Sequence, residues 1–428
     1  MKVLVLTDSF PPFNLGGAGE VADLVSRRLA AVGYEVVVVA GSATRSRAGV
    51  ERRDGVTVRR VWAPVPNALR LHLGVLHPLA MAQVRRAAAA FRPDVVHAHN
   101  VHERLSFAAL AAARAGGAPV VLTAHDYLLF CLTKFLCSGG DAGYRATPRA
   151  CPHCRHIRRV PGRNRLVNAL VRRHVRALAC ISRAQRAALA ANGFGDLPLE
   201  VVHNGIDPAA CWEAEGEGGA FRARHGLDGR PLVLFGGRIS GAKGGDQLLR
   251  AVAHARRRVD CQLAILGDRP AYFAHARRLA AEVGLPEGAL HTLGWLEGDD
   301  LRRAFVAADA CATPSVYPDP FNLMNLRAMA HRRPVVGTRY GATPEIVVHG
   351  ETGYIADPWR PDEFGDRLAD VLLDRDAARR LGEAGRRRVE QHFTLERQAQ
   401  AYEALFGRVR AAAAAGRPAP PAVRQSEV

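Results

Sequence analysis

Two cations in a glycine-rich loop are the first residues of this sequence that could do chemistry. The segment 235–244 follows an apolar run and contains Arg238 and Lys243. Fixed cations at such a point stabilise the negative charge that grows on a phosphate leaving group. Either side chain could instead be a solvated surface charge. The chain has only three lysines, so a lysine in this loop favours the functional interpretation.

A second glycine-rich loop, 11–19, contains Gly16 and Gly17 and lies between a predicted strand and a helix over 20–31. Glycines let backbone N–H groups approach an anion, and the helix N-terminus adds positive potential. A tight strand-to-helix turn is the alternative interpretation. The glycine spacing departs from the dinucleotide-binding fingerprint, so it does not indicate a nicotinamide cofactor.

A third loop leads from an apolar strand into a predicted helix over 322–330. The N–H groups around Phe321, Asn322 and Leu323 would open that helix and could hold a phosphate or a sugar hydroxyl. Asp319 comes just before them and could accept hydrogen bonds from hydroxyls. Its alternative role is that of the helix N-cap.

Four cysteines form a separate cluster in a predicted insertion, 127–163. They are Cys131, Cys137, Cys151 and Cys154, and the last two have Cys-x2-Cys spacing. Four thiolates suit a structural zinc ion, although the first pair is more widely spaced than in common zinc modules. Free thiols, or a redox or disulfide role, remain as alternatives.

Alternating apolar runs and helical patterns predict an α/β fold with parallel sheets covered by helices on both faces. The alternation of strands and helices is interrupted once and then resumes. This pattern predicts two Rossmann-like, doubly wound domains that face an interdomain cleft. The predicted division is 1–207, a linker 208–220, 221–393, a helix 394–415 that crosses back to the first domain, and a disordered tail 416–428. The predicted strands are 3–6, 36–39, 94–97, 120–123, 178–181, 200–203, 232–235, 262–266, 310–313, 334–336 and 353–355.

Composition narrows the class of protein. The 428 residues are 48% hydrophobic and 23% charged. This balance is typical of folded globular proteins and excludes a chain that is mainly disordered. No apolar stretch reaches the length of a membrane-spanning helix, and no secretory signal is recognisable. Eight cysteines do not make a disulfide scaffold. We therefore expect a cytoplasmic protein.

The charge is strongly basic, with 59 Lys and Arg against 41 Asp and Glu, or +18. Much of the excess lies in 142–195, which holds twelve arginines and no acidic residue. A solvated arginine face is one interpretation. An anionic acceptor, or a peripheral contact with the anionic inner face of a membrane, is the other. Nucleic acid is not expected as a partner, because aromatic residues for base stacking are few.

Taken together, these segments resemble glycosyltransferase family 4, whose members are retaining nucleotide-sugar transferases of the GT-B fold. The order and spacing of the motifs make the resemblance specific, and it covers nearly the whole chain. The motifs lie at 16–17, 94–99, 123–126, 181–182, 202–207, 237–244, 294–295, 314–315, 341–345 and 350–354.

The resemblance implies a role for each matching residue. Gly16 and Gly17 would lie against the donor diphosphate, and Arg238 and Lys243 would neutralise it as it leaves. His125 would contact the sugar near the reacting face. The resemblance also implies that no catalytic metal is needed and that the transition state is oxocarbenium-like.

The remaining donor contacts are implied in the same way. Asp319 would bind sugar hydroxyls, and Gly237 would approach the diphosphate. The start of the third-loop helix would complete the donor site. Closure of the hinge would bring the two domains together around the donor.

One position departs from the family pattern. The family has a second glutamate eight residues after its first acid, and that glutamate binds the nucleotide ribose. This chain has Arg327 there. A guanidinium only donates hydrogen bonds, so it cannot accept them from ribose hydroxyls. Either Arg327 reaches a phosphate, or another acid holds the ribose, or the usual donor binds poorly.

The sequence thus predicts sugar transfer from a nucleotide diphosphate sugar to a hydroxyl acceptor. The acceptor could be a lipid-linked glycan, a polysaccharide or a small natural product. The alternative is a catalytically impaired relative that binds a sugar nucleotide or a glycan. A pyridoxal-phosphate phosphorylase is disfavoured, because none of the three lysines lies in a suitable motif. No cofactor is expected for catalysis, and zinc is considered only as a structural ion.

Overall fold

A computed structural model describes residues 1–13, 16–136, 160–211, 216–236, 241–267 and 270–416. The chain divides into two compact units. Unit 1 contains Met1–Asn204 together with the chain from Leu395 onward, and unit 2 contains Gly205–Thr394.

Unit 1 is built on a sheet of eight strands in its described residues, in the order β3-β4-β2-β1-β5-β6-β7-β8. The strands are β1 Lys2–Thr7, β2 Glu35–Ser42, β3 Gly49–Arg53, β4 Val56–Trp62, β5 Val95–Ala98, β6 Val120–Ala124, β7 Val175–Cys180 and β8 Leu199–Val201. All neighbouring pairs are parallel except β3 with β4. Strand β3 was not predicted, because this exposed edge strand lacks the apolar run of the buried strands.

Helices cover both faces of this sheet, as the alternating pattern predicts. They are α1 Gly17–Ala31, α2 Arg70–Leu73, α3 Pro78–Phe91, α4 Ala109–Ala113, α5 Arg163–His174 and α6 Arg183–Leu189. Helix α1 starts three residues before the predicted position. Its buried face carries Val21, Val25 and Leu29 at helical spacing.

Unit 2 contains a parallel sheet of six strands in its described residues, in the order β11-β10-β9-β12-β13-β14. The strands are β9 Leu232–Phe235, β10 Gln262–Leu266, β11 Leu290–Gly294, β12 Ala310–Thr313, β13 Val335–Thr338 and β14 Gly353–Ala356. Strands β9, β10 and β12 are buried along their whole length, which explains their continuous apolar sequences. Strand β11 was missed, because its residues are only half-buried and include polar side chains.

The helices of unit 2 are α7 Glu217–Arg224, α8 Gly245–Ala255, α9 Pro270–Glu282, α10 Gly298–Ala307, α11 Leu323–Ala330, α12 Thr343–Ile346, α13 Pro361–Leu373 and α14 Arg375–His392. Helix α7 begins inside the segment that the sequence predicted as a linker. Two glycines weaken the helical pattern of its sequence, but Phe221 on its inner face is buried.

The last described helix, α15 Leu395–Ala414, belongs to unit 1. Tyr402 and Phe406 on this helix are fully buried. The Tyr402 hydroxyl lies 3.0 Å from Oγ1 of Thr123 in β6, and Arg408 donates to Glu200 over 2.8 Å. The residues after Gly416 lie outside the described part of the chain.

Several arginines of unit 2 cap carbonyl groups rather than facing a ligand. Arg333 donates to the carbonyls of Phe305 and Val306 at the end of α10, over 3.1 and 3.0 Å. Arg386 donates to the carbonyl of Ala330 at the end of α11, over 2.6 Å. Cations at helix C-termini satisfy the last carbonyls and complement the helix dipole. Part of the positive charge is therefore structural.

Both sheets have a topological switch point, where successive connections leave in opposite directions. It lies between β1 and β5 in unit 1 and between β9 and β12 in unit 2. Open α/β sheets bind ligands beyond the strand carboxyl ends at such points. Across the described residues, no helix combines the length and the apolar character needed to cross a membrane.

Candidate active site

In unit 2, the switch point brings together two predicted residues. Lys243 follows β9 and Asp319 follows β12, and the Lys243 ammonium forms an ion pair with Oδ2 of Asp319. Ser315 donates to the same oxygen over 3.3 Å. Asp319 is buried, and the Lys243 Nζ also lies 5.6 Å from the centre of the Tyr317 ring. The carboxylate therefore fixes a cation at the strand ends.

Backbone packing keeps these two loops together. The N–H of Val316 donates to the carbonyl of Ala242 over 3.0 Å. Gly244 has a φ of +76°, and a Cβ on it would lie 1.8 Å from the carbonyl oxygen of Pro314. Gly341 has a φ of +68°, and its Cβ would lie 2.3 Å from the carbonyl oxygen of Asp319. Only glycine allows the chain to approach this closely.

The start of α11 corrects part of the prediction for the third loop. The helix begins at Leu323, and Asn322 is its N-cap, whose side chain accepts from the N–H of Met324 over 3.1 Å. The N-cap role considered for Asp319 is therefore wrong. Phe321 is buried beside the cap. The asparagine oxygen satisfies one N–H of the first turn. The role predicted for the N–H groups around Phe321, Asn322 and Leu323 stays a prediction.

Arg327 lies in the last turn of α11 and is half-buried. Its carbonyl lies 2.8 Å from Nδ1 of His331. Another side of the helix is fixed by Asn325. Its side chain accepts a hydrogen bond from Thr313 over 2.8 Å and donates one to Thr343 over 3.3 Å. The backbone position of Arg327 is thus well defined by its neighbours.

Gly237 and Arg238, which the sequence places in the same donor site, lie outside the described residues. Their predicted roles stay predictions.

In unit 1, the glycine loop is anchored by a buried arginine. The Arg60 guanidinium donates to the carbonyl of Pro11 over 2.6 Å and lies 5.1 Å from the Phe13 ring. Gly16 has a φ of +132°, and α1 begins at Gly17. The helix therefore begins at the second glycine of the predicted pair. Arg60 was not predicted from the sequence. A single arginine in a strand stands out only when it is known that its side chain is buried, and this depends on the register of β4.

His125 follows β6 and contacts another histidine. Its Nε2 lies 2.8 Å from Nδ1 of His99, which follows β5. Burial lowers the pKa of His125 to about 4 and that of His99 well below its usual value. His125 is therefore neutral across the physiological pH range.

A group of charged residues surrounds His125 and was not predicted. Asp126 accepts from Asn100 over 3.1 Å and lies 3.3 Å from Nε2 of His102. Burial alone would raise the pKa of Asp126, but the charges of His102 and Lys134 hold it below its usual range. Lys134 also forms an ion pair with Glu103. Burial opposes ionisation of Glu103, but this ammonium lowers its pKa to about 2.

The sequence signal for this group was present but weak. Its members follow the ends of β5 and β6, where the chain is polar. Only Asp126 lies in one of the motifs, 123–126, and that motif gave it no role. Asp8 follows β1 in the same way. Its carboxylate accepts the N–H groups of Glu103, Arg104 and Leu105 over 2.6, 2.8 and 2.9 Å. It therefore holds the β5 loop in place.

The predicted zinc ligands are mostly outside the description. Cys137, Cys151 and Cys154 lie beyond the described residues. Cys131 is a buried free thiol whose Sγ lies 3.1 Å from Oγ1 of Thr133. Within the described ranges, no three His, Cys, Asp or Glu side chains are placed to hold a metal ion. The structure thus gives the zinc prediction no support.

Comparison with known proteins identifies the class. Two Rossmann-like units, each with a topological switch point, have the architecture of a GT-B fold, and solved structures share this fold. Sucrose-phosphate synthase from Thermosynechococcus elongatus has a TM-score of 0.78 at 20% identity, over 96% of this chain and 100% of its own. HepE from Anabaena, solved with UDP-glucose, has a TM-score of 0.72 at 21% identity, over 95% and 100%. The predicted fold class is confirmed.

Sequence comparison then gives the family. Residues 15–210 match the model for Glycosyltransferase Family 4, and residues 219–388 match that for Glycosyl transferases group 1. D-inositol 3-phosphate glycosyltransferase from Pseudarthrobacter chlorophenolicus is 28% identical over 399 residues, 88% of each chain. The chain belongs to glycosyltransferase family 4 and is a transferase, as the motifs predicted.

Proposed function

We propose that the chain transfers a sugar, with retention of configuration, from a nucleotide diphosphate sugar to a hydroxyl acceptor. The observation that carries this proposal is the ion pair of Lys243 and Asp319 at the switch point of unit 2. A diphosphate leaving group requires a preorganised cation, and the buried carboxylate of Asp319 holds the Lys243 ammonium in place at the strand end. HepE, a protein of similar fold, binds UDP-glucose.

The proposed chemistry separates charge as the glycosidic bond of the donor breaks. The sugar gains oxocarbenium character and the nucleoside diphosphate gains negative charge. Lys243 has three N–H donors, so it can keep its bond to Asp319 while donating to a phosphate oxygen. Because the ammonium is already in place, little reorganisation accompanies departure of the diphosphate. Arg238 and Gly237 are assigned to the same diphosphate on the resemblance alone.

The rest of the donor site is assigned to neighbouring groups of unit 2. We assign the start of α11, around Phe321, Asn322 and Leu323, to a phosphate or a sugar hydroxyl, because the N-terminus of a helix carries positive potential. Among the described residues, the bonds from Lys243 and Ser315 both go to Oδ2 of Asp319, so we assign its other carboxylate oxygen to a sugar hydroxyl. Arg327 cannot accept hydrogen bonds from ribose hydroxyls, so we assign it no contact with the donor.

Unit 1 is assigned the acceptor. The charged group around Asp126 and Glu103 offers both carboxylates and the Lys134 ammonium, which suits a densely hydroxylated acceptor. The related enzyme from Pseudarthrobacter acts on D-inositol 3-phosphate, a compound of this kind. We retain His125 as a contact to the sugar, and Gly16 and Gly17 as contacts to phosphate. A peripheral membrane contact through 142–195 remains part of the proposal.

Two measurements test the proposal. First, thermal unfolding is recorded with UDP-, GDP-, ADP- and TDP-sugars. We expect one nucleotide class to raise the unfolding midpoint. Second, that donor is incubated with inositol phosphates, aminocyclitols and oligosaccharides, and NMR reports the anomeric configuration of the product. Retention is expected. An inverted product, or binding of a donor without any transfer or hydrolysis, would contradict the proposed activity.

A structural zinc ion on the cysteine cluster is a separate proposal. It rests on the spacing of the four thiols alone. Metal analysis of the purified chain is expected to find one zinc per molecule, and a Cys154→Ser variant is expected to lose it. Substoichiometric metal in both proteins would exclude the site.

A further inference from the structure

The strand pair β5 and β6 places two rows of side chains opposite one another. Side chains two residues apart share a face of a sheet, so His97 and His99 lie on the same side, as do Thr123 and His125. The parallel register brings the rows into contact. His97 Nε2 lies 2.8 Å from Thr123 Oγ1. His99 Nδ1 lies 2.8 Å from His125 Nε2, and His97 and His99 are fully buried.

The contact between His99 and His125 requires one donor and one acceptor. A neutral imidazole carries its proton on one nitrogen only, and burial keeps both rings neutral. Two arrangements satisfy the contact. Either Nδ1–H of His99 donates to Nε2 of His125, or the direction is reversed. In the second case, the proton of His99 resides on its own Nε2.

The other nitrogen of His99 distinguishes these arrangements. Nε2 of His99 is buried and has no hydrogen-bond partner in the part of the chain that the structure describes. A buried N–H without an acceptor is rarer than a bare acceptor atom. We propose that His99 is a positioning residue: its Nδ1–H donates to His125 Nε2 and holds His125 in the tautomer that is protonated on Nδ1.

The neighbouring histidine follows the same rule. Nδ1 of His97 is also buried without a hydrogen-bond partner among the described residues. Its proton therefore resides on Nε2 and is donated to Thr123, whose hydroxyl can donate onward to Tyr402 over 3.0 Å. Both rings then donate a hydrogen bond toward β6. In each ring, the nitrogen without a proton is the one that has no hydrogen-bond partner among the described residues. The two contacts thus agree on one direction of hydrogen bonding.

The consequence concerns what His125 can offer a ligand. With Nε2 occupied by His99, its remaining nitrogen carries a proton and acts as a hydrogen-bond donor. A neutral donor binds the oxygen of a sugar hydroxyl without acting as a general acid or base. This consequence rests on the proposed function, in which His125 contacts the sugar. The tautomer itself does not depend on that function.

NMR of the full chain with ¹⁵N-labelled histidine tests the tautomer without any ligand. The His125 signals are assigned by their loss in His125→Gln. We expect a protonated Nδ1 and a bare Nε2. In His99→Leu, we expect the Nε2-protonated form of His125 to appear. In His99→Asn, the amide nitrogen can replace Nδ1 of the ring, so the native tautomer should return. A protonated Nε2 on His125 in the unmodified chain would overturn the proposal.

His97→Leu is the matched control. It removes a histidine of equal burial that bonds Thr123 instead, so the His125 signals should not change. Loss of the native tautomer in this variant would show that general damage, rather than the His99 bond, controls His125. If His99→Leu fails to fold, the spectrum of the unmodified chain and that of His99→Asn still decide the matter.

Transfer assays separate this proposal from the proposed function. We expect His99→Leu to lower kcat/KM about tenfold, the value of one hydrogen bond, and His99→Asn to restore most of it. Suppose instead that the tautomer is as proposed but His99→Leu transfers sugar normally. The contact between His125 and the sugar would then be wrong, while the hydrogen-bond direction would stand.

Discussion

The carboxylate of Asp319 holds the Lys243 ammonium in one position, and this position determines which groups of a ligand Lys243 can contact. Their contact places both residues in one site, and removal of either partner would leave an uncompensated charge on the other. The sequence predicted each residue separately, from its position after a strand. It could not predict their contact, because that depends on β9 and β12 being neighbours in the sheet.

Arg327 gives a prediction at this scale. In the Arg327→Glu variant, we expect affinity for the donor to stay unchanged or to rise, because a carboxylate can accept hydrogen bonds from ribose hydroxyls. Calorimetric titration with the donor found by the thermal screen measures this. Arg397, an exposed residue of α15 in unit 1, supplies the control as Arg397→Glu. A large loss of affinity confined to Arg327→Glu would show that the guanidinium is itself a donor ligand.

The loops after β9 and β12 give a prediction at the level of elements. In Gly244→Ala, the new methyl group would collide with the carbonyl of Pro314, in addition to the cost of a left-handed backbone. Gly226→Ala isolates that backbone cost, because Gly226 has a φ of +65° and open space around it. We expect Gly226→Ala to lower the free energy of unfolding by about 1 kcal/mol and Gly244→Ala by about 2–4 kcal/mol.

The same pair of variants reports on the site. Gly244→Ala should raise the KM for the donor, because the loops that carry Lys243 and Asp319 must separate. Gly226→Ala should leave it unchanged. Equal stability and equal KM in the two variants would mean that the close approach at Gly244 does not matter.

Most elements could be predicted from the sequence, for a physical reason. Buried parallel strands are continuous apolar runs, so β9, β10 and β12 are visible in the sequence. Edge strands and short helices are decided by neighbours instead. Strand β3 is exposed and polar, and α7 contains two glycines, so neither has a strong local signal. The N-cap at Asn322 was missed because Asp319, three residues earlier, is an equally good cap by residue type.

At the scale of the whole molecule, the basic residues behind the net charge of +18 have several different roles. Arg333 and Arg386 cap helix ends, and Arg60 anchors a loop. Lys243 is paired with a carboxylate in the candidate donor site. The arginines of 142–159 lie outside the described residues, so the proposed anionic surface stays a prediction there.

Buried neutral histidines should make stability depend on pH. Burial lowers the pKa of His97 to about 3 and those of His125 and His331 to about 4. In the unfolded chain these pKa values return to about 6.5. Between pH 4.5 and 6.5 the unfolded chain therefore binds more protons, so stability falls as the pH is lowered. We expect the thermal unfolding midpoint to decrease from pH 7 to pH 5.

A variant checks the origin of this trend. His97→Gln removes one titrating group, while its amide can still donate to Thr123, so the decrease should become smaller. Glu103 does not contribute in this window, because its pKa is lowered to about 2. Burial raises the pKa of Asp8 and that of Asp23, which opposes the trend, so the change caused by His97→Gln is the decisive comparison. A midpoint that stays constant between pH 5 and pH 7 would contradict the assignment of these histidines as neutral.

The central claim is that Lys243 stabilises a departing diphosphate, and one kinetic comparison tests it most directly. Lys243→Met and Lys2→Met each remove one of the three lysines, and Lys2 lies on the surface, 3.6 Å from Glu35. With saturating donor, we predict that kcat falls about 10²–10³-fold in Lys243→Met and stays unchanged in Lys2→Met. A Lys243→Met enzyme with the kcat of the unmodified chain would contradict the account.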